Sequence, residues 1–259
     1  MTNMESFVKF NVLNNIATIS IDNPEKKNAI TPAMIEEIIN YLSTIEDNPD
    51  IRCVLLKSNN NKIFSSGYDI SSIKEDYNDK NHPLIRITDC FKNSKKIIIT
   101  AINGHVFGGA LEIAISSDFR FFSKSAIFCV PPAKLGIPYS YDGLKNFINC
   151  VGISNTKMIF LTADKFGSDE ALEMGIANFV CDKDSIIDEA IEFCLKISQN
   201  APLSLATIKK SINAFQSSQS LDEKNQELIK KLIIEIQNSQ DFVEGRKAFN
   251  EKRAPSFKG

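Results

Sequence analysis

Residues 103–117, NGHVFGGALEIAISS, place two adjacent glycines, Gly108 and Gly109, ahead of a short apolar helix that carries one glutamate, Glu112. Glycines at a helix entrance leave backbone N–H groups free and let a second molecule approach them closely. A helix N-terminus also favours negative charge, so the turn is a cradle for an anion or a developing oxyanion. Glu112 falls in the first helical turn, near enough to that cradle to handle a proton. Many helices open on a Gly-Gly pair, so the segments on either side have to give it meaning.

Working outward, the apolar run 97–101 reads as a strand leading into the turn, and 118–122 and 127–130 read as strands after the helix at 110–117. Upstream, 7–12 and 16–21 are β-rich runs split by Asn14-Asn15, a hairpin signal. Thr31 and Pro32 then open a helix as N-cap and first helical residue, with Met34, Ile38, Leu42 and Ile45 on one face. The continuous apolar run 51–56 is a strand buried on both faces, followed by a loop at 57–62. Strands alternating with helices predict an α/β fold with largely parallel pairing. After about residue 200 the pattern changes. Residues 202–215, 221–236 and 242–252 read as three helices with no strand between them, giving a core over 1–200 and a helical region over 201–259.

A chain of 259 residues is long enough to bury a full core. Its net charge is −2 with no long basic run, which argues against nucleic acid or an anionic membrane as partner. Lys92, Lys95 and Lys96 read as a solvated loop. The six cysteines (Cys53, Cys90, Cys129, Cys150, Cys181, Cys194) form no CxxC pair, so reduced, mostly buried thiols are expected, with no metal site. Glu5 and Lys9 occupy an N-terminus without an apolar signal-peptide region, and the apolar run 97–102 is far too short to span a bilayer. A cytoplasmic protein is expected.

Two further segments carry chemistry. In 64–70, FSSGYDI, Gly67 makes a sharp turn that leaves the N–H of Tyr68 free to point into a pocket. In 131–141, PPAKLGIPYSY, a proline-rich turn presents Tyr139 and Tyr141. If the two glycine turns converge, two backbone donors hold one carbonyl oxygen. Such a pair stabilises an enolate, the charge that develops when a bond α to a thioester carbonyl breaks.

NAI (28–30), FSSGYDI, NGHVFGGALEIAISSDFR and LGIPY, in that order, resemble the enoyl-CoA hydratase/isomerase, or crotonase, superfamily, as does the ending EGRKAFNEKRAPSF. The resemblance covers essentially the whole chain. It implies a crotonase-like spiral of ββα turns, a helical C-terminal trimerisation region, a homotrimer or homohexamer, acyl-CoA substrates and no cofactor beyond the coenzyme A of the substrate. It also implies an oxyanion hole from the N–H groups of Tyr68 and Gly109. CoA recognition falls by resemblance near Lys26, Ala29, Ser65, Asp69 and Ile70, with Ser66, Gly67 and Gly108 in the adjoining turns. Pro131 would line the acyl side, and Lys252 corresponds to a basic residue that reaches the CoA phosphates, in its own or a neighbouring subunit.

Departures within the superfamily decide the activity. Hydratases resembling this chain carry a second glutamate where Pro132 stands here, and hydration needs one group to activate water and another to protonate carbon. Only Glu112 remains. Tyr139 is instead similar to the tyrosine of the superfamily's methylmalonyl-CoA decarboxylases, which also have a proline at the second position. Those decarboxylases place histidine after the oxyanion-turn glycine, where this chain has Tyr68. The expected reaction is therefore decarboxylation of methylmalonyl-CoA or a similar malonyl-type thioester, with Tyr139 orienting the carboxylate, Phe107 and Ile137 desolvating it, and Glu112 assisting protonation.

Alternatives stay open on the sequence. Glu112 could serve only the helix dipole, Tyr139 could be a packed loop aromatic, and Lys252 a solvated terminal lysine. An enoyl-CoA hydratase or isomerase and a non-catalytic acyl-CoA-binding protein are the competing functions. His82 and His105 read as structural, since no G-x-S-x-G elbow accompanies them.

Overall fold

A computed structural model describes residues 6–72, 81–218 and 221–258, which leaves Glu5 outside. Strands β1 (Val8–Leu13) and β2 (Ile16–Ile21) form an antiparallel hairpin. Its two loop residues, Asn14 and Asn15, have φ of 50° and 64°, the left-handed geometry of a type I′ turn. Helix α1 (Pro32–Ile45) begins as its residues dictate: Thr31 accepts the Met34 N–H and Pro32 takes the first position. Met34, Ile35, Ile38, Leu42 and Ile45 are its buried face.

From here the chain repeats a ββα unit. The first turn is β3 (Cys53–Ser58), β4 (Ile63–Ser65) and α2 (Pro83–Asn93); the second is β5 (Ile97–Ile102), β6 (His105–Phe107) and α3 (Gly109–Ile115). The third is β7 (Phe119–Ser123) and β8 (Phe128–Cys129), followed by α4 (Pro132–Leu135) and α5 (Tyr141–Thr162). The first strand of each turn enters a six-stranded sheet ordered β1-β2-β3-β5-β7-β9, where β9 is Phe179–Cys181. The second enters a three-stranded sheet ordered β4-β6-β8. Beyond the hairpin the ladders are parallel, so each turn advances both sheets by one strand. That is a spiral.

The core lies between the sheets and the helices. Every residue of β5 is buried. Phe64, Phe91, Ile98, Val106, Leu111 and Phe128 fill one side, and Leu55, Ile99 and Phe121 pack with Cys194 of α7 (Ile186–Ser198) on the other. All six cysteines are free; Cys53, Cys129, Cys181 and Cys194 are buried. No helix among the described residues is long and apolar enough to cross a membrane.

Three C-terminal helices follow, α8 (Pro202–Ser218), α9 (Glu223–Gln237) and α10 (Gln240–Asn250). The last starts two residues earlier than its apolar pattern predicts, because Ser239 accepts the Phe242 N–H as N-cap. Residues 141–198 hold α5, α6 (Ser168–Glu173), β9 and α7. In α5 the period is interrupted at Gly152, whose φ of 75° and ψ of 168° break the helix in two.

The lysine cluster corrects the sequence reading. Lys95 is exposed and pairs with Asp47, but Lys96 is buried and donates to the carbonyls of Asn48 and Ile51 at 2.6 and 3.0 Å. Lys92 lies on α2 and is half-buried. Its (CH₂)₄ stem can lie along apolar surface while the ammonium finds buried acceptors, which no charge count reveals.

Candidate active site

Two turns meet at the edge of the smaller sheet. A parallel bridge pairs Ile30 with Tyr68: the Ile30 N–H donates to Gly67 O at 2.8 Å, and the Asp69 N–H to Ile30 O at 2.9 Å. Successive N–H groups of an extended chain point to opposite sides, so the Tyr68 N–H faces away from Ile30. It has no hydrogen-bond partner among the described residues. In the second turn Gly108 (φ 50°, ψ −129°) donates to Cys129 O at 2.9 Å, anchoring the turn to β8. Gly109 then opens α3, and as a first helical N–H it has no acceptor within the helix.

The turns are in contact. A Cβ placed on Gly109 would lie 3.1 Å from the Tyr68 Cβ and 2.9 Å from Leu84 Cδ1. One placed on Gly67, whose φ is 108°, would lie 3.1 Å from Phe107 O. Glycine at both positions therefore lets the turns after β4 and β6 pack directly against each other.

On the other side stands the acid. Glu112 is 2% exposed. The Tyr139 hydroxyl donates to its Oε2 at 2.7 Å, and Asn146 Nδ2 donates to its Oε1 at 3.2 Å. The Tyr139 ring is held edge-on by Phe160 and Phe147, with centroids at 4.8 and 6.2 Å. A Cβ at Gly143 would come 2.5 Å from Tyr139 Cε1 and 3.0 Å from Glu112 Oε2, so glycine lets α5 close on the pair. Behind Asn146, Lys92 Nζ donates to Oδ1 at 2.5 Å. Burial pushes the Glu112 carboxyl above its ordinary value, opposed by the hydrogen bonds from Tyr139 and Asn146 and by the charge of Lys92. The Tyr68 phenol is pushed up to about 12 by burial and the nearby Asp69 charge, so it keeps its proton at neutral pH.

A third group of residues flanks the first turn. Ser66 donates through its N–H to Lys27 O and through Oγ to Lys26 O, at 3.0 and 3.2 Å. Ser65 Oγ donates to Asn28 O at 2.6 Å, and Lys26 Nζ sits 3.5 Å from Asp69 Oδ2. Lys26, Ala29, Ser66 and Asp69 thus lie beside Tyr68, with Ser65 and Gly67 buried beneath them. Ile70 opens a short 3₁₀ turn there, and its side chain lies outside the described residues.

The family model for enoyl-CoA hydratase/isomerase matches residues 11–259. The chain belongs to this family. It is 31% identical to a methylmalonyl-CoA decarboxylase of Escherichia coli over 98% of both chains. A carnitinyl-CoA dehydratase of Salmonella enteritidis is 30% identical over 94% of this chain and 95% of that protein. Among solved structures, methylmalonyl-CoA decarboxylase complexed with 2S-carboxypropyl-CoA matches with a TM-score of 0.94 at 30% identity, covering 98% of this chain and 99% of the other.

Pro132 occupies the first position of α4. Pro131 precedes it, two residues from the Cys129 carbonyl that anchors Gly108. Tyr141 does not join Tyr139: it begins α5, and its hydroxyl accepts the Leu221 N–H at 3.2 Å. The turn expected at 131–141 is a short helix, a Gly136 stop with φ of 62° and the start of a long helix, and this reversal sends the two tyrosines apart. Lys252 lies beyond α10, exposed, with φ of 54°, and among the described residues no hydrogen bond joins it to the site. His82 caps α2 by accepting the Leu84 N–H, and His105 accepts the Ile127 N–H. Among the described residues no three His, Cys, Asp or Glu side chains gather as a metal site.

Lys92, Asn146 and Gly143 escape the sequence reading. Their signal is faint but physical: Asn146 and Gly143 lie on the buried face of α5 with Phe147, and Lys92 follows Ile85 and Thr88 along the buried face of α2. A polar residue on an apolar stripe needs a buried partner.

Proposed function

We propose that this chain decarboxylates methylmalonyl-CoA, or a similar malonyl-type thioester, to propionyl-CoA through an enolate. One arrangement carries the reading: a buried carboxyl, Glu112, bonded to Tyr139 and standing three residues after the free N–H of Gly109, against which the turn of Tyr68 packs. The name of the E. coli relative supports it. The thioester oxygen accepts from Tyr68 and Gly109. The substrate C–C bond stands perpendicular to the thioester plane; its electrons pass into the enolate as carbon dioxide leaves. Removing one such donor typically costs about 10²–10³ in rate, so the oxyanion hole is the largest single contribution.

Glu112 and Tyr139 act as a pair. When Glu112 is protonated its Oε2–H donates to the Tyr139 oxygen, and the tyrosine hydroxyl hydrogen turns to the substrate carboxylate. After carbon dioxide departs, that hydroxyl faces the α-carbon and the pair supplies the proton. Phe107 and Ile137 keep the carboxylate dry, which favours loss of its charge as carbon dioxide. Lys26, Ala29, Ser65, Asp69 and Ile70 hold the CoA, and Lys252 reaches its phosphates. The reaction draws on no cofactor other than that CoA.

The lone acid also suits an enoyl-CoA isomerase, which shuttles one proton. Incubation with methylmalonyl-CoA, malonyl-CoA and crotonyl-CoA, followed by mass, separates the readings. Propionyl-CoA with release of carbon dioxide is expected; hydration of crotonyl-CoA without decarboxylation overturns the proposal. We also propose a homotrimer or a pair of trimers, supported by Phe215, Leu228, Leu232 and Ile234 exposed on α8 and α9. Light scattering tests it.

A further inference from the structure

We infer that Lys92 and Asn146 are positioning residues that determine which oxygen of Glu112 carries its proton. An ammonium only donates, so the Asn146 atom facing Lys92 Nζ at 2.5 Å is the carbonyl Oδ1. The amide plane then presents Nδ2–H to Glu112 Oε1 at 3.2 Å. An oxygen that faces an N–H cannot also hold a hydrogen along that line. The proton of Glu112 therefore sits on Oε2, 2.7 Å from the Tyr139 hydroxyl. Lys92 touches neither the carboxyl nor the oxyanion turns; it acts through the amide.

The assignment rests on the decarboxylase reading for its consequence. With the proton on Oε2, the enolate α-carbon takes the Tyr139 hydroxyl hydrogen while the tyrosine oxygen takes the Oε2 proton. Glu112 is left as a carboxylate, accepting from both Tyr139 and Asn146, and a proton from water restores the acid. Were the amide reversed, its carbonyl would call the proton to Oε1, turned away from Tyr139.

Charged groups from the elements packed on α3 set the surroundings. Lys92 on α2 favours the carboxylate and Asp142 on α5 opposes it. Asp89 lies 3.9 Å from Lys92, and Lys145 of α5 acts on Lys92 in turn. Arg120 of β7 is turned to the carbonyls of Ile176 and Ser117, and His105 of β6 to the Ile127 N–H.

Infrared spectroscopy of the full chain reads the proton directly. The carbonyl stretch of protonated Glu112 is the band missing from Glu112→Gln. In Asn146→Leu it is expected at higher wavenumber, because Oε1 loses its N–H donor. In Lys92→Met its titration is expected to move to higher pH, and Lys92→Arg to return it. In the decarboxylase assay Asn146→Leu should lower kcat about fivefold with KM little changed, the equivalent of one neutral hydrogen bond. A band unmoved in Asn146→Leu, a titration unchanged in Lys92→Met, or no band in the wild type across its folded pH range overturns the inference. If Asn146→Leu does not fold, Asn146→Asp replaces it: a carboxylate beside Oε1 should raise the titration, and an unchanged one overturns the inference. Should the wild type release no carbon dioxide, the substrate reading falls, while the infrared result still decides the position of the proton.

Discussion

The two halves of the site are built from different material. The oxyanion half is backbone: the N–H groups of Tyr68 and Gly109, aimed by a parallel bridge to Ile30 and a bond from Gly108 to Cys129. The acid half is side chain throughout, with Glu112, Tyr139, Asn146 and Lys92 linked from α3, the 136–140 loop, α5 and α2. Backbone donors are fixed by sheet register, so the side chain at position 68 is free to be tyrosine or histidine. A side-chain network has no such redundancy. One altered member leaves a buried partner unsatisfied, which is costly.

Substitutions can break or sharpen this contrast. Glu112→Gln should have the largest effect, lowering kcat about 10²–10⁴ in the decarboxylase assay, the usual contribution of a positioned acid. The same variant should be the more stable protein at neutral and alkaline pH. The folded-state pKa of Glu112 is raised by burial, so the folded chain binds more protons than the unfolded one between the two values. Its stabilisation is full below the unfolded pKa and is lost as pH rises through the folded one. Thermal unfolding across pH should show the Gln advantage shrinking towards acid.

Gly109→Ala places a Cβ 3.1 Å from the Tyr68 Cβ and 2.9 Å from Leu84 Cδ1, which forces the two donor turns apart, and should cost about 10²–10³ in kcat. Steady-state kinetics with intact secondary structure by circular dichroism checks it. Tyr139→Phe should cost about ten- to a hundredfold, since it deletes a hydrogen bond to a carboxyl without changing shape. Tyr68→Phe should stay within about twofold of wild type, because only its N–H serves the site; a larger loss in kcat would give the phenol a role and erase the distinction between the halves. For the wild type, activity should fall as pH rises through the elevated Glu112 value, since the acid is then ionised.

The parts legible in the sequence are those set by neighbours along the chain. Asn14-Asn15 specifies its hairpin because both residues accept positive φ. Thr31-Pro32 specifies a helix start by supplying an acceptor and a preset φ. Gly108-Gly109 specifies an open helix entrance for the same local reason, and the order of motifs along the chain gave the family. Local patterning says least where the helix is broken or short: α5 changes direction at Gly152, and α4 has only four residues.

Tertiary structure alone decided the acid half. Tyr139 reaches Glu112 across 27 positions, Asn146 across 34, and Lys92 reaches Asn146 across 54. No local rule spans such separations. They close because two sheets advance together, one strand per turn, and stack α2, α3 and α5 over one another. By itself the sequence determined a backbone cradle with one acid beside it. Packing determined that the acid is buried, that tyrosine and asparagine divide its two oxygens, and that a lysine expected in solvent stands behind them.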